Sequence, residues 1–330
     1  MKKTIGIILT LFLICSMLIS GASALNVVTT MPNIWDVTQE IGGDKVTVIY
    51  VAPPTAVHIS SDTIDAILQK NSDFISTADL FIGQGGGMDK TPITKVTEFR
   101  KTNFGKDTDW KLMNEVPTSA VPNATNVYDN PTSLIGYAQT IAYILKTADP
   151  ANAGTYAANL ETYLKKISTV TTLTPPEKEA LSDVPVICQF RIKNQVETWL
   201  GMNVITSYPS PETVQAIVDD IHADPAKYSK IAKDAKCGKI FVVENIVAGQ
   251  DIGKSIHEAL TDEKIPCERV VFLNLPKSAD GINSILDYYT YNKDLILDSI
   301  NDDTQTQSPL AAVPIMGALA CAVLFLTRRN

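Results

Sequence analysis

The fold is decided by the stretch 149-DPANAGTYAANLETYLKKISTVTTLTPP-176, which predicts one long helix. Its apolar residues recur at intervals of three or four, the spacing of one helix face: Tyr156, Leu160, Tyr163 and Ile167. Pro150 suits the first turn of a helix, and the proline pair at 175–176 follows its end. We therefore expect a backbone helix over 149–174 that joins two lobes, 25–148 and 175–300.

On both sides of this helix, short apolar runs alternate with stretches of helical spacing. The runs are rich in β-branched residues and predict strands at 46–51, 80–83, 184–190, 204–208, 240–244 and 270–275. Helical spacing occurs at 63–68, 133–147, 211–222 and 253–260. This alternation indicates an α/β fold with parallel sheets. Because about 275 residues exceed one hydrophobic core, we expect two parallel-sheet lobes.

Both ends of the chain carry membrane signals. Residues 1–24 have two lysines, an apolar run and an Ala-Ser-Ala ending, which is typical of a secretory signal peptide. The apolar run 309–327 is followed by two arginines and predicts a C-terminal transmembrane helix with a cytoplasmic end; a hydrophobic tail helix packed on the domain is the alternative. The polar residues 301–308 read as a tether. We expect a cell-membrane protein whose domain is extracytoplasmic.

Charge and cysteine usage narrow the function further. The chain has 36 acidic and 28 basic residues, a net charge of -8, which argues against nucleic acid as a partner. No nucleophile with a paired base is evident, so we expect no enzymatic activity. Cys237 and Cys267 each precede an apolar run, and both a disulfide between them and two free thiols remain open. Cys188 lies within a predicted strand, which indicates a buried thiol.

Several short segments together resemble the metal-binding receptors of ABC importers for zinc and manganese. The likeness covers about residues 26–300 and rests on VVTT at 27–30, IGGDKV at 41–46, VAPP at 51–54 with His58, NP at 130–131, DPAN at 149–152, WLGM at 199–202 and IFVVE at 240–244. The resemblance implies two α/β lobes on a backbone helix, a divalent metal ion, zinc or manganese, in the cleft, and an ABC permease and ATPase as partners.

The resemblance also implies where the metal ligands lie. Such receptors generally supply three histidines, one sometimes a glutamate, and a carboxylate. Here the four positions fall at His58, Asn126, Gln189 and Asn274. Only His58 keeps a strong ligand, since neutral amides coordinate cations weakly.

Other side chains bear on this set without completing it. Two alternatives remain open for Asp129 and Glu244: each supplies a substitute carboxylate ligand for the metal, or each caps or pairs with a local group. Arg191 either points into the cleft beside Gln189, where it would favour an anionic or chelated ligand, or lies on the surface. We expect His222 and His257, in stretches of helical spacing, on the surface.

The leading hypothesis is a membrane-tethered extracytoplasmic receptor for a divalent metal ion. One alternative is a receptor for a metal chelate, a corrinoid or another organic anion. The other is a surface protein that has lost ligand binding.

Overall fold

Two four-stranded parallel sheets form the framework of the protein. The computed structural model describes residues 24–54, 61–245 and 252–301. The first sheet contains β1 Leu25–Thr29, β2 Val46–Tyr50, β3 Leu80–Gly83 and β4 Trp110–Leu112 in the order β2-β1-β3-β4. The second contains β5 Pro185–Gln189, β6 Asn203–Tyr208, β7 Ile240–Asn245 and β8 Cys267–Phe272 in the order β6-β5-β7-β8. The predicted α/β class with two parallel sheets is therefore confirmed.

Helices occupy most of the connections between the strands. Those of the first half are α1 Pro32–Gly42, α2 Ser61–Lys70, α3 Ser72–Thr77, α4 Lys90–Phe104, α5 Pro131–Ala148 and α6 Ala153–Thr171. Those of the second half are α7 Pro175–Leu181, α8 Pro211–Ala223, α9 Pro225–Asp234, α10 Lys254–Asp262 and α11 Ile285–Asn301. A capping box between Thr174 and Glu177 starts α7, which explains why the preceding helix does not continue.

The described residues divide into two compact units. Unit 1 contains 24–53, 61–126 and 136–165, and unit 2 contains 54, 127–135, 166–245 and 252–301. The unit boundary falls inside α5 and again inside α6. The stretch expected as one backbone helix is a short 3-10 turn at Pro150–Asn152 followed by α6.

Burial explains why these strands read as continuous apolar runs. Every residue of β3, β5 and β7 is buried, as expected for strands of a parallel sheet that is covered on both faces. In unit 1, the core on one face joins Val28 and Phe81 to apolar residues of the helices. In unit 2, Ile187 and Val242 pack in the same way against α8, α9 and α10.

The structure resolves the open question about the cysteines. Cys237 and Cys267 are free thiols. The Cys237 Sγ donates to the carbonyl oxygen of Lys239 at 3.3 Å, and the Cys267 Sγ donates to that of His257 at 3.7 Å. Cys267 pairs in register with Ile240, three residues beyond Cys237, so the cysteines are not opposite each other. The disulfide is therefore wrong for this structure, whereas the predicted burial of Cys188 is confirmed.

Both membrane signals fall largely outside the described residues. This holds for the signal peptide up to residue 23, the anchor at 309–327 and the tether beyond Asn301, which ends α11. Among the helices of residues 24–54, 61–245 and 252–301, none is long and apolar enough to cross a membrane.

Candidate functional site

The carboxyl ends of parallel strands are where α/β folds bind ligands, above all where the strand order reverses. In the sheet of unit 2 the chain moves outward from β5 to β6 and then returns to the other side of β5 with β7. The reversal therefore lies between β5 and β7, whose last residues are Gln189 and Asn245. This places Gln189 at the position of that sheet most suited to a ligand.

Gln189 is a buried amide with unused hydrogen-bonding capacity. Gln189 is 6% exposed, and its Oε1 has no hydrogen-bond partner among residues 24–54, 61–245 and 252–301. It pairs in register with Tyr208, whose hydroxyl is also buried and has no hydrogen-bond partner in the part of the chain that the structure describes. Because an unpaired buried polar atom costs free energy, such atoms suggest a site that is completed by something else.

Asn274 follows the end of β8 and has the same property. Its Oδ1 is buried and has no hydrogen-bond partner within the described ranges, which leave out 55–60 and 246–251. The residue before it is fixed by Asn292 of α11, whose Oδ1 accepts from the Leu273 backbone N–H at 2.8 Å and whose Nδ2 donates to the Leu273 carbonyl at 2.7 Å. Gln189 and Asn274 thus bring to the carboxyl edge of one sheet two amide oxygens that no described residue satisfies.

Glu244, near the end of β7, is occupied by local partners. Its side chain is fully buried, with Oε1 accepting from the Arg269 Nε at 2.5 Å and Oε2 accepting from the Gly253 backbone N–H at 2.9 Å. Burial, and to a lesser extent the Glu244 charge, raise the pKa of Tyr208. Of the two roles left open for Glu244, substitute metal ligand or local pairing, the structure shows local pairing with Arg269.

Asp129 is likewise committed to its own surroundings in unit 2. Its Oδ1 accepts from the Ser133 hydroxyl at 2.9 Å and from the Asn130 Nδ2 at 3.1 Å, and its Oδ2 accepts from the Asn194 Nδ2 at 2.8 Å. Asn130 and Ser133 also exchange hydrogen bonds at the start of α5. Asp129 therefore supports a helix start and joins it to the segment after β5.

The residues that follow Gln189 form a short 3-10 turn, Phe190–Ile192. The Phe190 ring is 60% exposed, an unusual fraction for a large apolar side chain. Arg191 is exposed and has no ion pair or hydrogen bond within the described residues, which fits both the cleft and the surface alternative. Lys193, by contrast, pairs with Glu197.

In unit 1, Asn126 is tied to the loop that follows β3. Its Nδ2 donates to the Gln84 carbonyl at 3.2 Å, and the Gln84 Nε2 donates back to the Asn126 carbonyl at 2.6 Å. This reciprocal pair uses the nitrogen of the Asn126 amide and leaves its side-chain oxygen. His58 lies within 55–60, outside the described residues.

The loop after β3 also holds a buried carboxylate that sequence reasoning missed. Asp89 is 1% exposed, and its Oδ2 accepts from the Gly85 backbone N–H at 2.9 Å. Burial raises the pKa of Asp89, and the hydrogen bond from Gly85 opposes that shift. The available signal is the acidic residue that closes the glycine-rich run GQGGGMD at 83–89, a run whose composition indicates only a flexible loop.

The two helical histidines stand apart from these strand ends. His222 lies on α8, and its Nδ1 is 2.8 Å from the Glu263 Oε1. His257 lies on α10, where burial lowers its pKa. Across the described residues, no three histidine, cysteine, aspartate or glutamate side chains are grouped so as to hold a metal ion.

In sequence, the chain is similar to components of metal transport systems. The model of the family "Zinc-uptake complex component A periplasmic", ZnuA, matches residues 27–263. A curated relative, the metal ABC transporter substrate-binding lipoprotein ScbA of Streptococcus cristatus, is 29% identical over 176 residues, which is 50% of this chain and 54% of the relative. The chain thus matches about half the length of that relative.

Solved structures support the fold. The Mn-bound periplasmic metal binding protein of Candidatus Liberibacter asiaticus superposes with a TM-score of 0.56 at 19% identity, over 83% of this chain and 98% of that one. A crystal structure of ZnuA superposes with a TM-score of 0.55 at 16% identity, over 85% and 100% of the two chains. The family resemblance is confirmed by the match to residues 27–263, and the chain belongs to the ZnuA family of zinc-uptake components.

Proposed function

We propose that this chain is the extracytoplasmic substrate-binding receptor of an ABC importer and that its cargo is a divalent metal ion. The observation that carries the proposal is the family match over 27–263. The relatives are named as metal-binding or metal-transport proteins, and one is named as a substrate-binding component. Such a receptor binds and delivers its ligand without catalysis, and its partners are the permease and ATPase subunits.

The proposed ligand set is His58, Asn126, Gln189 and Asn274. A neutral imidazole is the strongest donor among these for zinc or manganese, and amide oxygens are weaker, harder donors. The unpaired oxygens of Gln189 and Asn274 support the assignment, since a bound cation or its water shell would satisfy them.

The proposed architecture around this set follows the sequence expectations. Within the segment expected as a backbone helix, 149–174, we propose that α6 Ala153–Thr171 joins the lobes expected at 25–148 and 175–300. A signal peptide at 1–24 directs export, and the span at 309–327, after the tether at 301–308, holds the receptor at the cell membrane. The curated relative is named a lipoprotein; for this chain we propose a C-terminal helix as the anchor.

Metal content and its dependence on His58 test the proposal. The full chain, purified without chelators, should carry zinc or manganese near one ion per chain by elemental analysis. His58→Ala should lower the bound metal by at least about tenfold, since even outer-shell changes cost that much. His222→Ala is the matched control, because His222 pairs with Glu263 and lies outside the set. A metal content that is negligible, or equal in His58→Ala, would contradict the proposal.

A further inference from the structure

Three consecutive residues at the end of β5 present an uncommon combination. Gln189 is buried with a free acceptor oxygen, Phe190 is a largely exposed ring, and Arg191 is an exposed guanidinium. Arg191 makes no ion pair within the described residues, whereas Lys193 in the same segment is neutralised by Glu197. The end of β5 therefore carries, in three consecutive residues, an acceptor, an apolar ring and a positive charge without an ion-pair partner among the described residues.

Two carboxylates of the same unit are already hydrogen-bonded: Glu244 to a cation, and Asp129 to neutral side chains that leave its charge in place. Glu244 is held by Arg269 and the Gly253 amide. Asp129 already accepts three hydrogen bonds from neighbouring side chains of its own unit. The candidate ligand positions of unit 2, Gln189 and Asn274, are neutral amides, and Arg191 follows Gln189 by two residues. A bare divalent ion prefers imidazole or carboxylate donors and is repelled by a permanent cation.

The exposed ring points to the same conclusion. A single exposed apolar residue is ordinary by itself. Phe190, however, stands in sequence between Gln189, which is buried, and Arg191, which is exposed, at the strand end where the strand order reverses. A ring and a guanidinium together recognise flat, negatively charged groups, the ring by stacking and the guanidinium by paired hydrogen bonds.

We infer that the cargo metal reaches this protein inside an anionic, aromatic organic chelate. The chelate places its ring on Phe190 and its negative groups at Arg191. The amide oxygens of Gln189 and Asn274 accept hydrogen bonds from the chelator or from water bound to the metal. The inference rests on the proposed function, and it names the form in which the metal is bound.

Equilibrium dialysis of the full chain tests this inference. The probes are zinc sulfate, zinc citrate, and zinc with excess pyridine-2,6-dicarboxylate, an anionic aromatic chelate. Bound zinc is measured by elemental analysis and bound ring by absorbance. We expect zinc and ring to be retained together, with the aromatic complex bound about tenfold more tightly than zinc alone, a difference of about 1.4 kcal/mol.

Variants separate the parts of the site. Phe190→Leu should weaken the aromatic complex about fivefold and leave zinc citrate within about twofold, and Phe190→Tyr should restore binding. Arg191→Gln should weaken both complexes by about fivefold to tenfold. Lys193→Gln, a matched charge removal, should change neither. All three positions are at or near the surface, so the fold is expected to tolerate these changes.

The outcomes distinguish a failure of the chelate from a failure of the receptor. If pyridine-2,6-dicarboxylate strips zinc from the protein and bare zinc binds stoichiometrically, the inference is overturned while the metal receptor stands. The inference is overturned in the same way if Phe190→Leu and Arg191→Gln bind the aromatic complex like the unaltered chain. If zinc is retained in none of its three forms, the proposed function fails together with the inference.

Discussion

Replacing Arg269 by methionine removes the partner of a fully buried carboxylate. The Arg269 Nε lies 2.5 Å from the Glu244 Oε1, and the Glu244 side chain has no exposed surface. Methionine keeps much of the apolar volume of arginine and deletes the charge. Glu244 then retains the Gly253 amide as a donor, but its charge loses the arginine that offsets it. Breaking a buried pair from one side costs about 3 to 5 kcal/mol, because a buried charge is left uncompensated.

Thermal unfolding of the full chain followed by circular dichroism measures this cost. At about 2 to 4 °C per kcal/mol for a unit of this size, the transition of unit 2 should fall by about 10 °C. The double variant Glu244→Gln with Arg269→Met should recover at least half of the loss, because a neutral amide still accepts from Gly253. Lys165→Ala, which breaks an exposed pair with Glu161, should leave the transition unchanged.

Either of two results would refute this expectation. One is a transition in Arg269→Met that falls by less than about 2 °C, which would mean that the pair contributes no more than a surface pair. The other is a double variant that is no more stable than Arg269→Met alone, which would show that the loss comes from packing and not from the stranded charge.

Three further predictions concern other contacts of unit 2. Gly253→Ala should destabilise the protein by about 1 to 3 kcal/mol in thermal unfolding, because a Cβ there would lie 2.5 Å from the Tyr208 hydroxyl. Adding Tyr208→Phe to this variant should relieve part of the cost. An unchanged unfolding transition in Gly253→Ala would contradict the close approach. The ammonium of Lys293, 2.8 Å from Glu177, lowers the pKa of Glu177 to about 2, so the stabilisation it provides is fully present above about pH 5 and is lost as the pH falls toward 2. The difference in melting temperature from Lys293→Met should accordingly shrink between these pH values, and a constant difference would count against the pair. Asn274→Asp supplies a carboxylate oxygen and should raise the affinity for bare zinc about tenfold by calorimetry, whereas an equal affinity would place that side chain away from the metal.

The framework of the fold was predictable because parallel strands buried on both faces leave a strong signature. The strand over 80–83 was located to the residue, and that at 240–244 to within one residue, since both are uninterrupted apolar runs. The runs at 25–29 and 110–112 were not identified as strands. The second is only three residues long and includes an exposed lysine, so its pairing with β3 depends on tertiary contacts.

The sequence prediction placed the end of β8 too late in the chain, for a specific reason. The apolar run at 270–275 suggested a strand, but the ladder with β7 stops at Phe272. Beyond it, the backbone groups of Leu273 are taken by the side chain of Asn292, which is distant in sequence and carries no periodic signal. Likewise, sequence reasoning located Glu244 but left its role open, because its partner Arg269 is recognisable only from the register of β7 and β8.

Counted from the start of each unit, the strands follow one and the same plan: second, first, third, fourth. The chain thus builds the same strand order twice, once in each sheet. Since apolar strands specify this strand order, the residues just past the strand ends of one sheet are free to change without altering the other sheet. The two halves can therefore evolve separate binding chemistries, and the chemistry that we propose for the second half consists of two amides, a ring and an arginine.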